Sequence, residues 1–425
     1  MNMNKMDLNK IGGTKIILNL NYSLTDSGEE REISKMFEKI KLLPPPDFAR
    51  INPSFAGIEQ LSKKYAAYKN ILVVGNGGAI NSFRGFYSAL VNKQGKKMIL
   101  LNTVEPEFLQ ETKAKYSPED SLLVVVSKSG LNPTCLEILF HFWEYSKIAV
   151  CTENGGALYE IVQKEKIDFV TYPLPAEFPS LEDRHTGFSA SGLMPASLAG
   201  INILELCQGA KEMYQQCAPS TPFKKNPALQ AAVTLYSLEQ KGFTEIFCPV
   251  YSTKLFGFLP AIIQLMHETV CKNGQGQTIF GDLAPESQHH TNQRFFGGRK
   301  NCLGLFVTAS SSDLEMAVQV PSAIPTAIAS IPFRNGTVGN FDGISYYHLL
   351  DSEFQGTFQD AAEKGLPLIH LHLEEITPFS VGQFLAFFQY LSYYSACLRG
   401  VNPSGQPQVE RGKEISFELV KQYKR

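Results

Sequence analysis

The chain has 425 residues, 44% of them hydrophobic, enough for a large core divided over two domains at roughly 100–200 residues each. Its 39 lysines and arginines nearly balance 41 aspartates and glutamates, for a formal charge of −2. That excludes a global basic field for counterion-driven nucleic-acid binding, so an anionic ligand needs a local site. The 8 cysteines are scattered, with no CxxC pair and no His/Cys cluster at zinc-ligand spacing, which suits a reducing compartment. The N-terminus "MNMNKMDLNKIGGTKIILNL" lacks a signal peptide's apolar core, and no run of about 18 apolar residues occurs. A cytoplasmic protein that does not engage a membrane is expected.

Residues 1–50 end in "LPPPDF", whose consecutive prolines forbid helix. They read as an arm leading into a first domain, 51–215. There "NILVVGNGG", "KKMILLN", "SLLVVVSKSG", "KIAVCTENGG" and "DFVTYPLP" are short apolar runs, each ending at a turn signal. They alternate with helical segments such as Thr134–Tyr145. That alternation predicts a parallel sheet covered on both faces, an α/β domain. The pattern restarts after the linker "APSTPFKKNP" with "FTEIFCPVYS", the helix "FGFLPAIIQLMHETVC", "NCLGLFVTAS" and "PLIHLHLEEI". A second, similar domain is expected over 225–398, closed by an apolar helix at Val381–Leu398. A tail, 399–425, follows.

Five segments carry candidate chemistry. "VVGNGGAINSFRG" sets Gly77 and Gly78 between a strand and a helix, where the missing Cβ lets backbone N–H groups approach an anion. Ile80 stands where the dinucleotide fingerprint needs its third glycine. "VVVSKSGLNPT" delivers Ser127, Lys128 and Ser129 at the carboxyl end of a buried strand, where open α/β sheets bind ligands; Ser129 and Asn132 also suit helix capping. In "SLEDRHTGFSASGL", Arg184 is either part of a solvated charged turn or a fork of donors for a developing oxyanion. "MHETVCKNGQGQ" begins like a zinc-protease helix, but Cys271 replaces the second histidine, leaving Glu268 as a candidate general base. In "APESQHHTNQ", His289 and His290 would diverge in an extended chain and so could not share a metal.

In this order the segments resemble the phosphoglucose isomerase family, built from two tandem sugar-isomerase (SIS) domains. "SKSG" is similar to its phosphate-binding strand end, "DRHTGFS" to its glycine–arginine segment, and "HETVCKNGQG" to the stretch carrying its catalytic glutamate. "SQHHTNQ" resembles its histidine segment, and "NPSGQPQVERGK" its C-terminal NPxxQPxVExxK pattern. The resemblance implies two tandem SIS-type domains with an N-terminal arm and a C-terminal helical tail. It implies interconversion of glucose 6-phosphate and fructose 6-phosphate through a cis-enediolate, without a cofactor. Glu268 would be the base and Arg184 would stabilise the intermediate. His289, reaching over from a neighbouring subunit, would open the ring, which makes a homodimer the expected partner state. Lys413 would assist at the ring oxygen and Gln406 would contact the substrate. Gly77, Gly78, Ser127, Lys128, Ser129 and Asn132 would hold the sugar phosphate.

The chain departs from that pattern at Ala79, where the family has a serine, and at Leu131, Asn132 and Pro133, where it has a run of threonines. Each lost hydroxyl removes a hydrogen bond to a charged group, worth about 1.5–3 kcal/mol. Another hexose phosphate, such as mannose 6-phosphate, is therefore an alternative substrate. A non-catalytic sugar-phosphate sensor is a further alternative, although a binding protein needs no general base, and neither end of the chain carries a basic helix-turn-helix segment. Glu286 is a second carboxylate available as base.

Overall fold

The computed structural model describes residues 15–21, 27–91, 95–145, 147–172, 177–312, 316–320 and 324–423. Most of the N-terminus quoted above and the end of "DFVTYPLP" lie outside the described residues.

The first sheet comprises β2 (Asn70–Val74), β3 (Lys97–Leu101), β4 (Ser121–Val126), β5 (Ile148–Thr152) and β6 (Asp168–Thr171). They lie in the order β3-β2-β4-β5-β6, and every pairing is parallel. The second sheet holds β1 (Ile16–Leu20), β7 (Glu245–Val250), β8 (Thr278–Leu283), β9 (Cys302–Ala309) and β10 (Leu368–Leu373), in the order β1-β10-β9-β7-β8. Four of these strands are parallel. The fifth, β1, runs antiparallel to β10, with Leu18 opposite Leu371.

Two expectations change here. The arm does not simply lead into the first domain, because its strand completes the second sheet. That sheet is therefore mixed rather than purely parallel. The family-level picture of two α/β units flanked by helices stands.

Alternation along the strands sorts their side chains between cores. Ile71, Val73, Leu122 and Val124 point to the same hydrophobic core as Ile246, Cys248, Leu303 and Leu305 of the second sheet. Leu72, Val74, Leu123 and Val125 pack outward under the first sheet's own helices. Phe247 and Phe306 do so under the second sheet's. A single core thus joins the sheets, and helices fill it.

Among these are α1 (Gly78–Leu90), which follows β2, α3 (Ile203–Gln216), α4 (Leu259–Val270) and α5 (Pro378–Leu398), whereas α2 (Pro133–His141), which follows β4, packs on the first sheet's outer face. The residues Phe384, Phe387, Phe388, Tyr390 and Tyr394 of α5 are fully buried. It meets α3 at close range because a Cβ on Gly209 or Gly382 would overlap the facing backbone at Phe379 or Leu206. The last helix, α6 (Glu410–Gln422), is exposed along its length. Among the described residues no helix is long and apolar enough to cross a membrane.

Candidate active site

Glu268 lies in the last turn of α4, which an apolar face drives into the shared core while the carboxylate stays half-buried. Its Oε1 accepts a hydrogen bond from Gln264 Nε2, one turn earlier, at 3.0 Å. Gln264 is in turn fixed by Asn81 of α1, whose Nδ2 donates to its Oε1 at 2.8 Å. The Gln406 amide, oriented with its nitrogen toward the carboxylate, reaches Oε2 at 2.8 Å and Oε1 at 3.2 Å. Both carboxylate oxygens are therefore aimed.

Arg184 resolves the choice posed by its sequence. It is 3% exposed, in the 3₁₀ turn Asp183–Phe188, and not in a solvated turn. Its Nη1 donates to Glu268 Oε2 at 3.3 Å, its Nε to Thr269 Oγ1 at 2.9 Å and its Nη2 to the Pro403 carbonyl at 2.5 Å. Glu182 Oε2 lies 3.7 Å from Nη1. Burial pulls the guanidinium below its usual pKa, while Glu182 and Glu268 oppose that. A buried charge with a fixed fork of donors costs desolvation and is held by these partners. Its position depends on Gly78, where a Cβ would overlap the backbone of Asp183 and Arg184.

The carboxyl ends of β2 and β4 are neighbours, and Cys135 Sγ bridges their loops by donating to Asn76 Oδ1 at 3.7 Å. Gly77 has φ +56°, a conformation glycine adopts without strain. Ser127 is buried at the end of β4, and Lys128 Nζ donates to the Leu181 carbonyl at 2.7 Å. Ser129 Oγ accepts from Leu131 N at 3.3 Å within the loop, and Asn132 Oδ1 accepts from Cys135 N at 3.4 Å, so Asn132 caps α2.

Asp183 adds a carboxyl that sequence reasoning did not single out. Tyr172 Oη donates to its Oδ1 at 3.2 Å. Burial raises its pKa to about 6, against the pull of Lys128 and the Tyr172 hydrogen bond.

The structure does not bring all the expected residues together. His289 ends a 3₁₀ turn, Glu286–His289, and is exposed. The extended chain assumed for the two histidines is thus corrected, although His290 turns aside to Thr291 Oγ1, at 2.6 Å from its Nδ1. Lys413 is exposed on α6 and pairs with Glu410 at 2.7 Å. Among the described residues, no hydrogen bond or ion pair joins His289 or Lys413 to Glu268 or Arg184. Glu286 is exposed, and no group of three His, Cys, Asp or Glu residues among those described could hold a metal. Two other residues at the site, Glu182 and Lys272, grip the tail segment 402–406. Glu182 Oε1 accepts from Gly405 N at 2.7 Å. The only signal for either in the sequence was proximity to Arg184 or Glu268.

No family model matches the chain. A glucose-6-phosphate isomerase from Methanocaldococcus jannaschii is 26% identical over 372 residues, covering 85% of this chain and 86% of its own. One from Thermus thermophilus is 24% identical over 430 residues, covering 97% and 99%. Among solved structures, a hypothetical protein from Thermus thermophilus superposes with a TM-score of 0.76 at 22% identity, covering 92% of this chain and 93% of its own. A glucose-6-phosphate isomerase from Chlamydia trachomatis gives 0.75 at 16% identity, covering 97% and 89%. These two share the fold. Along most of its length the chain is thus similar to curated relatives of one name, glucose-6-phosphate isomerase.

Proposed function

We propose that the chain is an aldose–ketose isomerase that interconverts glucose 6-phosphate and fructose 6-phosphate. The observation that carries this reading is the contact between the Glu268 carboxylate and the buried Arg184 guanidinium, 3.3 Å apart. A proton on the carbon beside a carbonyl is weakly acidic, so its removal needs a placed base and compensation for the oxygen's developing charge. Glu268 takes the proton from C2 of the open-chain aldose, the C–H electron pair forms the C1=C2 bond, and the C1 carbonyl oxygen becomes the enediolate oxygen facing Arg184. The O2 proton then passes to O1 and Glu268 returns its proton to C1, leaving the ketose. Gln264 and Gln406 hold the carboxylate in the required direction.

His289, exposed on its turn, serves ring opening in the site of a second copy, and Lys413 assists at the ring oxygen. The working unit is a cytoplasmic homodimer. Gly77, Gly78, Ser127, Lys128, Ser129 and Asn132 line the phosphate end. The names of the relatives support this reading.

A second reading, isomerisation of a different hexose phosphate such as mannose 6-phosphate, is favoured by one feature of that phosphate end. Asp183 brings a carboxyl to the start of α1, where its backbone packs against Gly78, and a negative charge there opposes an anion. Purified protein assayed against a panel of hexose phosphates separates the two. Turnover of fructose 6-phosphate, falling about 10²–10⁴-fold in Glu268→Gln, is expected. Undiminished turnover in that variant, or none in the wild type, overturns the first reading.

A further inference from the structure

Lys272 stands four residues beyond Glu268, in the turn that follows α4, and is 8% exposed. A buried ammonium ordinarily pairs with a carboxylate. Among the described residues Lys272 has no such ion pair. Its Nζ donates instead to the Asn402 carbonyl at 2.6 Å and the Ser404 carbonyl at 3.0 Å. These flank Pro403, whose own carbonyl accepts from Arg184. The next residues are tied down in sequence, Ser404 Oγ to the Ser180 carbonyl at 3.3 Å, Gly405 N to Glu182, and Gln406 to Glu268. From Pro407 onward the described chain is exposed. Residues 402–406 are therefore a strap, and Lys272 is a buried anchor that holds two of its carbonyls.

We infer that Lys272 is a positioning residue whose ammonium latches this strap, so that Gln406 and the Pro403 carbonyl seat on Glu268 and Arg184 only while residues 402–404 are docked. The inference rests on the isomerase reading of the Glu268–Arg184 pair. The charge is maintained at a cost, since burial and the neighbouring Arg184 pull the Lys272 pKa down to about 8 against the help of Glu182 and Glu268. A neutral donor would satisfy two carbonyls without that cost. Carbonyl dipoles converging on one cation, with Arg184 drawing on the third carbonyl between them, hold a five-residue segment that contributes no charge of its own.

The test uses the full chain and the variants Lys272→Met, Gln406→Ala and their double. Lys272→Met is expected to lower kcat about 10- to 100-fold with little change in KM, as misplacement of a catalytic group does. It should also speed amide exchange at Ser404–Gln406 to the rate of the exposed α6. Because both substitutions act through the strap, the double variant should lose no more than the worse single variant. Multiplicative losses, or a strap that stays protected in Lys272→Met, would overturn the inference. Should that variant not fold, wild-type exchange still decides against it if Gly405 and Gln406 exchange as fast as α6. Inactive wild type with a Lys272-dependent strap would refute the isomerase reading alone. An active wild type whose kcat is unmoved by Lys272→Met would refute the latch alone.

Discussion

Asp183→Asn separates the cost of a buried charge from the shape that surrounds it. The asparagine side chain has the same outline, still accepts from Tyr172, and carries no charge at any pH. In the folded protein the Asp183 pKa is raised from 3.8 to about 6, chiefly by burial. The neutral form is thus favoured on folding, so the group's contribution is fully present below pH 3.8 and is lost as pH rises through 6. At about 1.4 kcal/mol per pKa unit the loss amounts to at most about 3 kcal/mol. Partial solvent access to the carboxyl edge brings it nearer 2 kcal/mol. Urea unfolding at 25 °C should therefore show Asp183→Asn stabilising the protein by about 2–3 kcal/mol at pH 7.5, and by about 1 kcal/mol or less at pH 4.5. An equal effect at both pH values, or a destabilised variant at pH 7.5, would refute the reasoning. The same variant frees the phosphate end of a negative charge, so KM for a hexose phosphate should fall at pH 7.5.

Two more predictions bear on the geometry. Gly78→Ala pushes a methyl group into the Asp183 and Arg184 backbone and should cost about 1–3 kcal/mol in urea unfolding, with a larger loss in kcat/KM because Arg184 is displaced. If His289 serves its partner's Glu268, mixing inactive Glu268→Gln and His289→Ala under conditions that exchange subunits gives heterodimers with one intact site. Activity should return to about a quarter of wild type, and no recovery would place both residues in one chain's site.

The sheets were legible where burial on both faces makes a strand a continuous apolar run, as in "SLLVVV" and "CLGLFVTA". The second sheet was not legible at its edges. The strand "TIFGDL" is partly exposed, and Gly281 and Asp282 break its apolar signal. The strand "IILNL" in the arm pairs with residues about 350 positions away, and no local pattern encodes an antiparallel partner so distant.

The site divides along the same physical line. Sequence names side chains, and it named Glu268 and Arg184 because their chemistry resides in those groups. It passed over Lys272 because its partners are carbonyls, which every residue possesses, contributed by a segment 130 positions away. Its charged neighbours alone fit a solvated turn as well, because the close approach that seats Arg184 depends on the absence of a Cβ at Gly78. The tail motif is the clearest case. "NPSGQPQVERGK" looked like one unit, yet its first five residues are locked to Glu182, Arg184, Glu268 and Lys272, while Lys413 pairs with Glu410 on an exposed helix. Proton transfer between carbons needs the base, its aiming amides and the guanidinium, and one chain assembles all of them. His289 and Lys413, the residues proposed for ring opening, both stand on exposed elements. Under the proposed reading, one chain brings the base and the guanidinium together, while His289 stands exposed where a second copy could receive it.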